Sequence, residues 1–261
     1  MVLSWVVDWY IYPVVVGAGF LAGFINILAG SGSLITLPML IILVGLPVPI
    51  ANGTNRIAVL LQNVVGIKAY SKKGVLDVRG VLIFGIPAIL GSVIGAQIAV
   101  NLDEEILRKS IGVVMVLMLG VILFRPRQWL HGELQHMTEF PSTFNMLIFF
   151  IIGMYGGFIQ AGVGIFLLAA LVLGIGYDLV RANAIKVGIV LVFTLAALTV
   201  FVINDQVDWS IGLVLAIGNM AGAWTATNFA VEMGTVWVRR VLIAVVIFSA
   251  VSLLDLVALF G

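Results

Sequence analysis

Two stretches decide how this chain folds: Gly23-Phe24-Ile25-Asn26-Ile27-Leu28-Ala29-Gly30-Ser31-Gly32-Ser33 and Gly157-Phe158-Ile159-Gln160-Ala161-Gly162-Val163-Gly164. They lie within apolar runs, about 11–45 and 145–176, that exceed the roughly 20 residues of a single membrane crossing. Small residues break the runs at Ala29-Gly30-Ser31-Gly32-Ser33 and at Ala161-Gly162-Val163-Gly164. A break inside a bilayer must find protein partners for its backbone, so each run reads as two helical arms folded into a hairpin. At about 1.5 Å per residue the second arm is too short to cross comfortably. Re-entrant and nearly spanning hairpins both remain open.

The composition around these breaks is that of a membrane protein. Of 261 residues, 62% are hydrophobic and 10% charged, against about 25% charge in a soluble domain. Further apolar runs cover about 49–70, 78–100, 106–124, 179–203, 209–231 and 236–260. The length allows at most about ten full or partial spans, which excludes a sizeable soluble catalytic module. The first Lys or Arg is Arg56, so nothing at the start reads as a cleavable signal, and the N-terminus is expected outside. The absence of cysteine excludes disulfides, thiolate catalysis and Cys-ligated metals.

The second half repeats the first at a nearly constant spacing. Gly23–Asn26 answers Gly157–Gln160 at 134 positions, Gly30-Ser31-Gly32 answers Gly162-Val163-Gly164 at 132, and Ala51-Asn52 answers Ala182-Asn183 at 131. Asp77, Gly91, Gln97 and Arg108-Lys109 answer Asp208, Gly222, Asn228 and Arg239-Arg240, again at 131. Loop charges then orient the copies. Lys68, Lys72, Lys73 and Arg79 crowd one loop, while its counterpart carries Asp205 and Asp208 and no base. By the positive-inside rule the two loops face opposite sides. The expectation is an all-α integral membrane protein with an inverted-topology repeat, each copy a broken-helix hairpin plus three transmembrane helices, 8–10 membrane segments in all. Residues 1–124 form the first copy, 125–144 a polar cytoplasmic connector, and 145–261 the second, inverted copy. That is the architecture of many secondary transporters, whose binding site lies near the midplane between the copies.

Cations within an apolar run are costly, about 3 kcal/mol each on insertion scales, and mark function by default. Arg56, in Ala51-Asn52-Gly53-Thr54-Asn55-Arg56, and Lys186, in Arg181-Ala182-Asn183-Ala184-Ile185-Lys186, superpose after a shift of one residue. In an inverted repeat they approach the middle from opposite faces and can flank one anion; otherwise each snorkels to its nearer interface. The starts of the second arms, near Ser33 and Ile165, are expected to point N–H groups toward the centre. Gly30, Gly32, Gly162 and Gly164 would allow close approach, or simply tight helix packing. Asn26, Ser31, Ser33, Thr54, Asn55 and Gln160 complete the candidate binding set. No Asp, Glu or His lies deep in a span, and no H-E-x-x-H or G-x-S-x-G pattern occurs, which argues against an enzyme. His131 and His136 fall in the connector. Gln97 and Asn228 read as interhelical hydrogen-bonding residues, and Trp5, Trp9, Tyr10, Tyr12, Trp129, Trp209 and Trp237 as interfacial anchors. Trp224 sits inside a span, either packing or lining the cavity.

Gly23-Phe24-Ile25-Asn26, then Ala29-Gly30-Ser31-Gly32-Ser33-Leu34, Pro38 and Ala51-Asn52-Gly53-Thr54-Asn55-Arg56, resemble the sulfite exporter TauE/SafE family, also called the 4-toluene sulfonate uptake permease family. The resemblance runs through the second Gly-x-Gly and the Lys186 segment. It implies an integral membrane protein moving sulfur-containing or other organic anions, such as sulfite, sulfoacetate, sulfonates or carboxylates. Many relatives carry three or four glycines where this chain has Gly30-Ser31-Gly32-Ser33, and Thr-Ser or Thr-Asn-Lys where it has Thr54-Asn55-Arg56. The arginine keeps the charge and adds a planar fork suited to a carboxylate or sulfonate.

The combined expectation is a secondary transporter of a small oxyanion, sulfite or an organosulfonate, in a bacterial-type cytoplasmic membrane. Its partners would be that small sulfur-containing anion, the lipid bilayer and, as one option, a second copy in a homodimer. No nucleic acid, metal or cofactor is expected. A passive anion channel, a carboxylate transporter and a membrane enzyme or accessory subunit are the competing readings.

Overall fold

The computed structural model describes residues 9–124 and 142–229, with positions 243, 247 and 253. The elements in chain order are α1 (Ile11–Ala29), α2 (Ser33–Ile42), α3 (Val48–Lys72), α4 (Val78–Val100), α5 (Glu104–Phe124), α6 (Thr143–Phe158), α7 (Val163–Ala169), α8 (Leu179–Ile203) and α9 (Trp209–Phe229). A π-helical turn, Ala170–Ile175, continues α7. Helices α1, α4, α5, α8 and α9 are long and apolar enough to cross a membrane. Among the described residues the protein is therefore all-helical, with five candidate membrane spans. Most of the connector with His131 and His136, nearly all of the last apolar run with Trp237, Arg239 and Arg240, and Trp5 and Trp129 lie outside the described residues.

Side-chain acceptors fix several helix starts. Asp77 accepts from the Gly80 N–H at 3.0 Å, Ser142 from Asn145, Asp178 from Val180 and Arg181, and Asp208 from Ile211. Each such cap is worth about 1 kcal/mol. At the two breaks glycine does this work through its backbone: Gly30 ends α1 at φ +71°, and Gly162 opens α7 at φ +72°, left-handed values open to a residue without Cβ. Helix α2, ten residues long, covers about 15 Å, about half the hydrocarbon thickness. Helix α2 is thus too short to cross a bilayer on its own, as expected of a second arm.

The packing reverses the usual sorting of residues. On α4 the exposed face is Leu82, Ile86, Leu90 and Ile94, and the buried face is Gly85, Ala88, Gly91, Ser92, Gly95 and Ala99. Lipid takes the large apolar groups, and small residues let helices approach. Gly91 and Gly95 lie on the backbone of Phe150 and Met154 in α6, while Gly153 and Gly157 of α6 lie on Ala88 and Ser92. The same device joins α1 to α9: Gly19 and Gly23 meet Leu215 and Asn219, and Gly218 and Gly222 meet the turns at Val16 and Phe20. A Cβ at most of these positions would collide with main chain. Helix α5 buries Leu107, Ile111, Met115, Met118 and Ile122 as one stripe at helical spacing.

Helices α3 and α8, 25 residues each, pack against one another, with α9 also against α3 and α4 also against α8. Their inward faces carry most of the polar side chains of the interior. On α3 these are Asn52, Thr54, Asn55, Arg56, Gln62 and Asn63; on α8, Lys186 and Thr194.

Candidate functional site

The two hairpin breaks touch. Built on Gly30, a Cβ would lie 2.5 Å from the carbonyl carbon of Gly164, and one on Gly164 would lie 2.5 Å from the Cα of Gly30. Gly32 rests on Ala22 and the Asn26 side chain, and Gly162 on Met118. The break residues are tied largely to themselves. The Gly30 N–H donates to the Asn26 carbonyl and the Gly32 N–H to Asn26 Oδ1, while Leu34, Ile35 and Thr36 donate to the carbonyls of Ser31 and Gly32. In the second break Val163 donates to Gln160 and Ile165 to Gly162. The second helical arm there starts at Val163; these N–H groups are bonded within the protein, and Ser33 and Gly164, at the two arm starts, line a cavity.

Arg56 is fully buried, and its guanidinium closes the carbonyl end of α6. Nη1 donates to the Gly156 carbonyl at 3.0 Å, and Nη2 to Gly157 at 2.5 Å and Phe158 at 3.4 Å. The Phe201 ring lies 4.5 Å from the guanidinium carbon, a cation–π contact. Lys186, 2% exposed, does the corresponding thing for α1: Nζ donates to the carbonyls of Asn26 at 3.1 Å and Ile27 at 3.3 Å, and to Asn183 Oδ1 at 2.8 Å. The end of a helix leaves its last carbonyls short of helical donors and carries partial negative charge. Each cation meets that need for a helix in the other half of the chain. Neither snorkels.

Beside the Gly30–Gly164 contact lies a small cavity lined by Asn26, Ser33, Val59, Asn63, Gln160, Val163, Gly164, Lys186 and Val190. It draws on both breaks and on both central helices. Gln160 holds a left-handed φ of +65° and donates from Nε2 to Thr194 Oγ1 at 2.6 Å; its Oε1 is buried and unpartnered. Of the remaining candidates, Ser31 is buried with an unpartnered Oγ, and Asn55 accepts from Thr36 at 2.6 Å while its Nδ2 is unpartnered. Thr54 has a tying role: its Oγ1 accepts from the Asp208 N–H at 2.8 Å, joining α3 to the start of α9.

Asn63 and Thr194 were not among the sequence candidates. The signal was available: Asn63 lies seven residues, about two helical turns, beyond Arg56, and Thr194 eight beyond Lys186. Gln97 and Asn228 differ from expectation. Both are exposed, and the Asn228 amide donates to Trp224 of its own helix. Trp224 is 59% exposed, on the outer surface rather than in the cavity. Trp9, Tyr10 and Trp209 are exposed at helix starts, as anchors require.

Comparison with known proteins bears on this arrangement as a whole. A Sinorhizobium protein named "Probable membrane transporter protein ORF9" is 27% identical over 91% of this chain and 90% of its own length. A Haemophilus influenzae "Probable membrane transporter protein" is 27% identical over 86% and 87%, and Escherichia coli YfcA, of the same description, is 24% identical over 93% and 91%. No solved structure matches the chain significantly. The family model described as sulfite exporter TauE/SafE matches residues 15–253. With broken helices, paired cations and that match across nearly its whole length, the chain belongs to the sulfite exporter TauE/SafE family.

Proposed function

We propose that this membrane transporter is a secondary carrier for a small oxyanion, sulfite or an organosulfonate. It would work by alternating access between two inverted copies, residues 1–124 and 145–261, joined by the connector 125–144. The observation that carries this reading is the cavity itself. Asn26, Ser33, Asn63, Gln160 and Lys186 are among the residues that line it, next to the contact between the two breaks, and that lining supports the reading.

The chemistry suits an anion. Lys186 would supply positive charge and the Asn26 amide and Ser33 hydroxyl donors, in a site largely shielded from water, where charge-assisted hydrogen bonds are strong; Asn63 and Gln160, whose amide nitrogens donate to Val59 and Thr194, would turn to join them. The valines at 59, 163 and 190 line the apolar wall. Among the described residues no carboxylate or histidine lines the cavity, so a proton relay would need protonation of the substrate itself, and we read the protein as a carrier rather than an enzyme. Gly30, Gly32, Gly162 and Gly164 would let the breaks slide or part as the copies rock, and Ser31, Thr54, Asn55 and Arg56 would support the opposite wall.

The test is flux into proteoliposomes with sulfite, a small sulfonate and a small carboxylate. Saturable uptake with counterflow is expected for at least one sulfur oxyanion. Flux linear in concentration without counterflow would mean a channel, and no movement of any of the three under any gradient would reject the reading.

A further inference from the structure

We infer that Arg56 and Lys186 are tethered cations standing where a carrier of this architecture otherwise binds an alkali ion, so that anion transport here needs no Na+. The functional meaning of this inference rests on the transporter reading; its physical content does not. In secondary transporters with broken helices, unwound carbonyls and half-helix carbonyl ends form the coupling-ion sites. In this chain α1 and α6 each end at a glycine-rich break, and a side chain is bonded to the last carbonyls of each. At α1 the ammonium of Lys186 has oxygens of Asn26, Ile27 and Asn183 at 2.8–3.3 Å. At α6 the guanidinium of Arg56 has those of Gly156, Gly157 and Phe158 at 2.5–3.4 Å.

Three features make the replacement specific. All six oxygens are carbonyl or amide oxygens without formal charge, so each set favours a single positive charge, and a second cation beside the first would be repelled at low dielectric. The arrangement occurs twice, with different cations, and each comes from the other half of the chain. The guanidinium fork holds three carbonyls at once, so the α6 end is closed without an ion from solution. A covalently attached ion does not dissociate and is not carried across. An alkali-ion gradient therefore has no site at either helix end through which to drive the anion.

The purified full-length protein tests this by thermal unfolding in NaCl, KCl and choline chloride at equal ionic strength. The wild type is expected to unfold at one temperature in all three, and Arg56→Lys to show the same indifference at a lower temperature. Lys186→Ala should gain a saturable rise in Tm from methylammonium or Na+ that the wild type lacks, because an unattached ion can then enter the vacated place. A saturable Na+-specific rise in the wild type overturns the inference, as does a folded Lys186→Ala that gains nothing from either ion. If Lys186→Ala does not fold, the wild type and Arg56→Lys decide. Unfolding reads ion binding whether or not any anion moves, so a failed flux assay would reject the transporter reading and leave this test standing.

Discussion

Gly30 and Gly164, from hairpins 134 residues apart in sequence, meet backbone to backbone, with room for a Cβ on neither. Gly164→Ala therefore has to push the hairpins apart. Such overpacking costs about 1–3 kcal/mol, and the displaced wall belongs to the cavity. We expect a lower unfolding temperature together with at least a tenfold loss of flux. Gly120→Ala, where a Cβ meets nothing within 4 Å, should leave both unchanged. Equal behaviour of the two variants would discount the contact.

Arg56 serves three carbonyls and a ring, which a lysine cannot do in the same way. Arg56→Lys keeps the charge and loses the fork; Arg56→Gln loses the charge as well. Each buried carbonyl left without a donor costs about 1–3 kcal/mol. Thermal unfolding in detergent should rank wild type above Arg56→Lys above Arg56→Gln. If Arg56→Gln matched the wild type, the guanidinium would not be closing α6.

Small residues, rather than large ones, join α4 to α6. Gly95 faces the Met154 and Phe158 backbone, so Gly95→Leu should abolish the folded peak in size-exclusion chromatography or lower Tm steeply. Leu90, 59% exposed toward lipid, is the contrast: Leu90→Ile should change stability by less than about 0.5 kcal/mol. A mild Gly95→Leu would argue that α4 and α6 do not pack this closely.

In the loop before α8, the buried Tyr177 donates its hydroxyl to Asp77 Oδ2 at 2.8 Å. Burial raises the pKa of the phenol, and the bond to Asp77 and its charge raise it further. The folded protein thus holds this proton more tightly than the unfolded chain, whose tyrosines titrate near 10. The stabilisation is complete below pH 10 and is lost as pH climbs through the higher folded value. Tyr177→Phe should cost about 1 kcal/mol at neutral pH, for one hydrogen bond, and should flatten the alkaline fall in unfolding temperature that sets in above the unfolded tyrosine value of 10. An unchanged alkaline limb would assign the titration to another group.

The breaks, the helices around them and the burial of Arg56 and Lys186 were legible in the sequence, because a bilayer leaves few ways to satisfy a backbone or hide a cation. What the cations hold was not. Periodicity tells which face of α3 Arg56 occupies, but its partners, the α6 carbonyls, are main-chain atoms with no signature in the sequence. Gln97 shows a different limit. Its match to Asn228 marked a position and gave no direction, yet Gly95 faces inward and two further residues turn the helix by about 200°, so the exposure of Gln97 could have been worked out. In the second break the helix begins at Val163, two residues before the expected start. Gln160 takes a left-handed φ there, a conformation rare for non-glycine residues, and nothing in its side chain announces it.

The exchange of cations between halves also sets a schedule for biogenesis. Arg56 reaches the membrane about 100 residues before the Gly156 carbonyl it will bond, a wait of roughly 5–20 s at ordinary elongation rates of about 5–20 residues/s. Over that interval the nascent chain carries a guanidinium on α3 without its α6 carbonyls and an α1 end without the Lys186 ammonium. Lys186, by contrast, emerges to find its acceptors already made. The first half is then an insertion intermediate that cannot close on itself, and the ribosome completes the molecule only when the second half arrives to lock both ends.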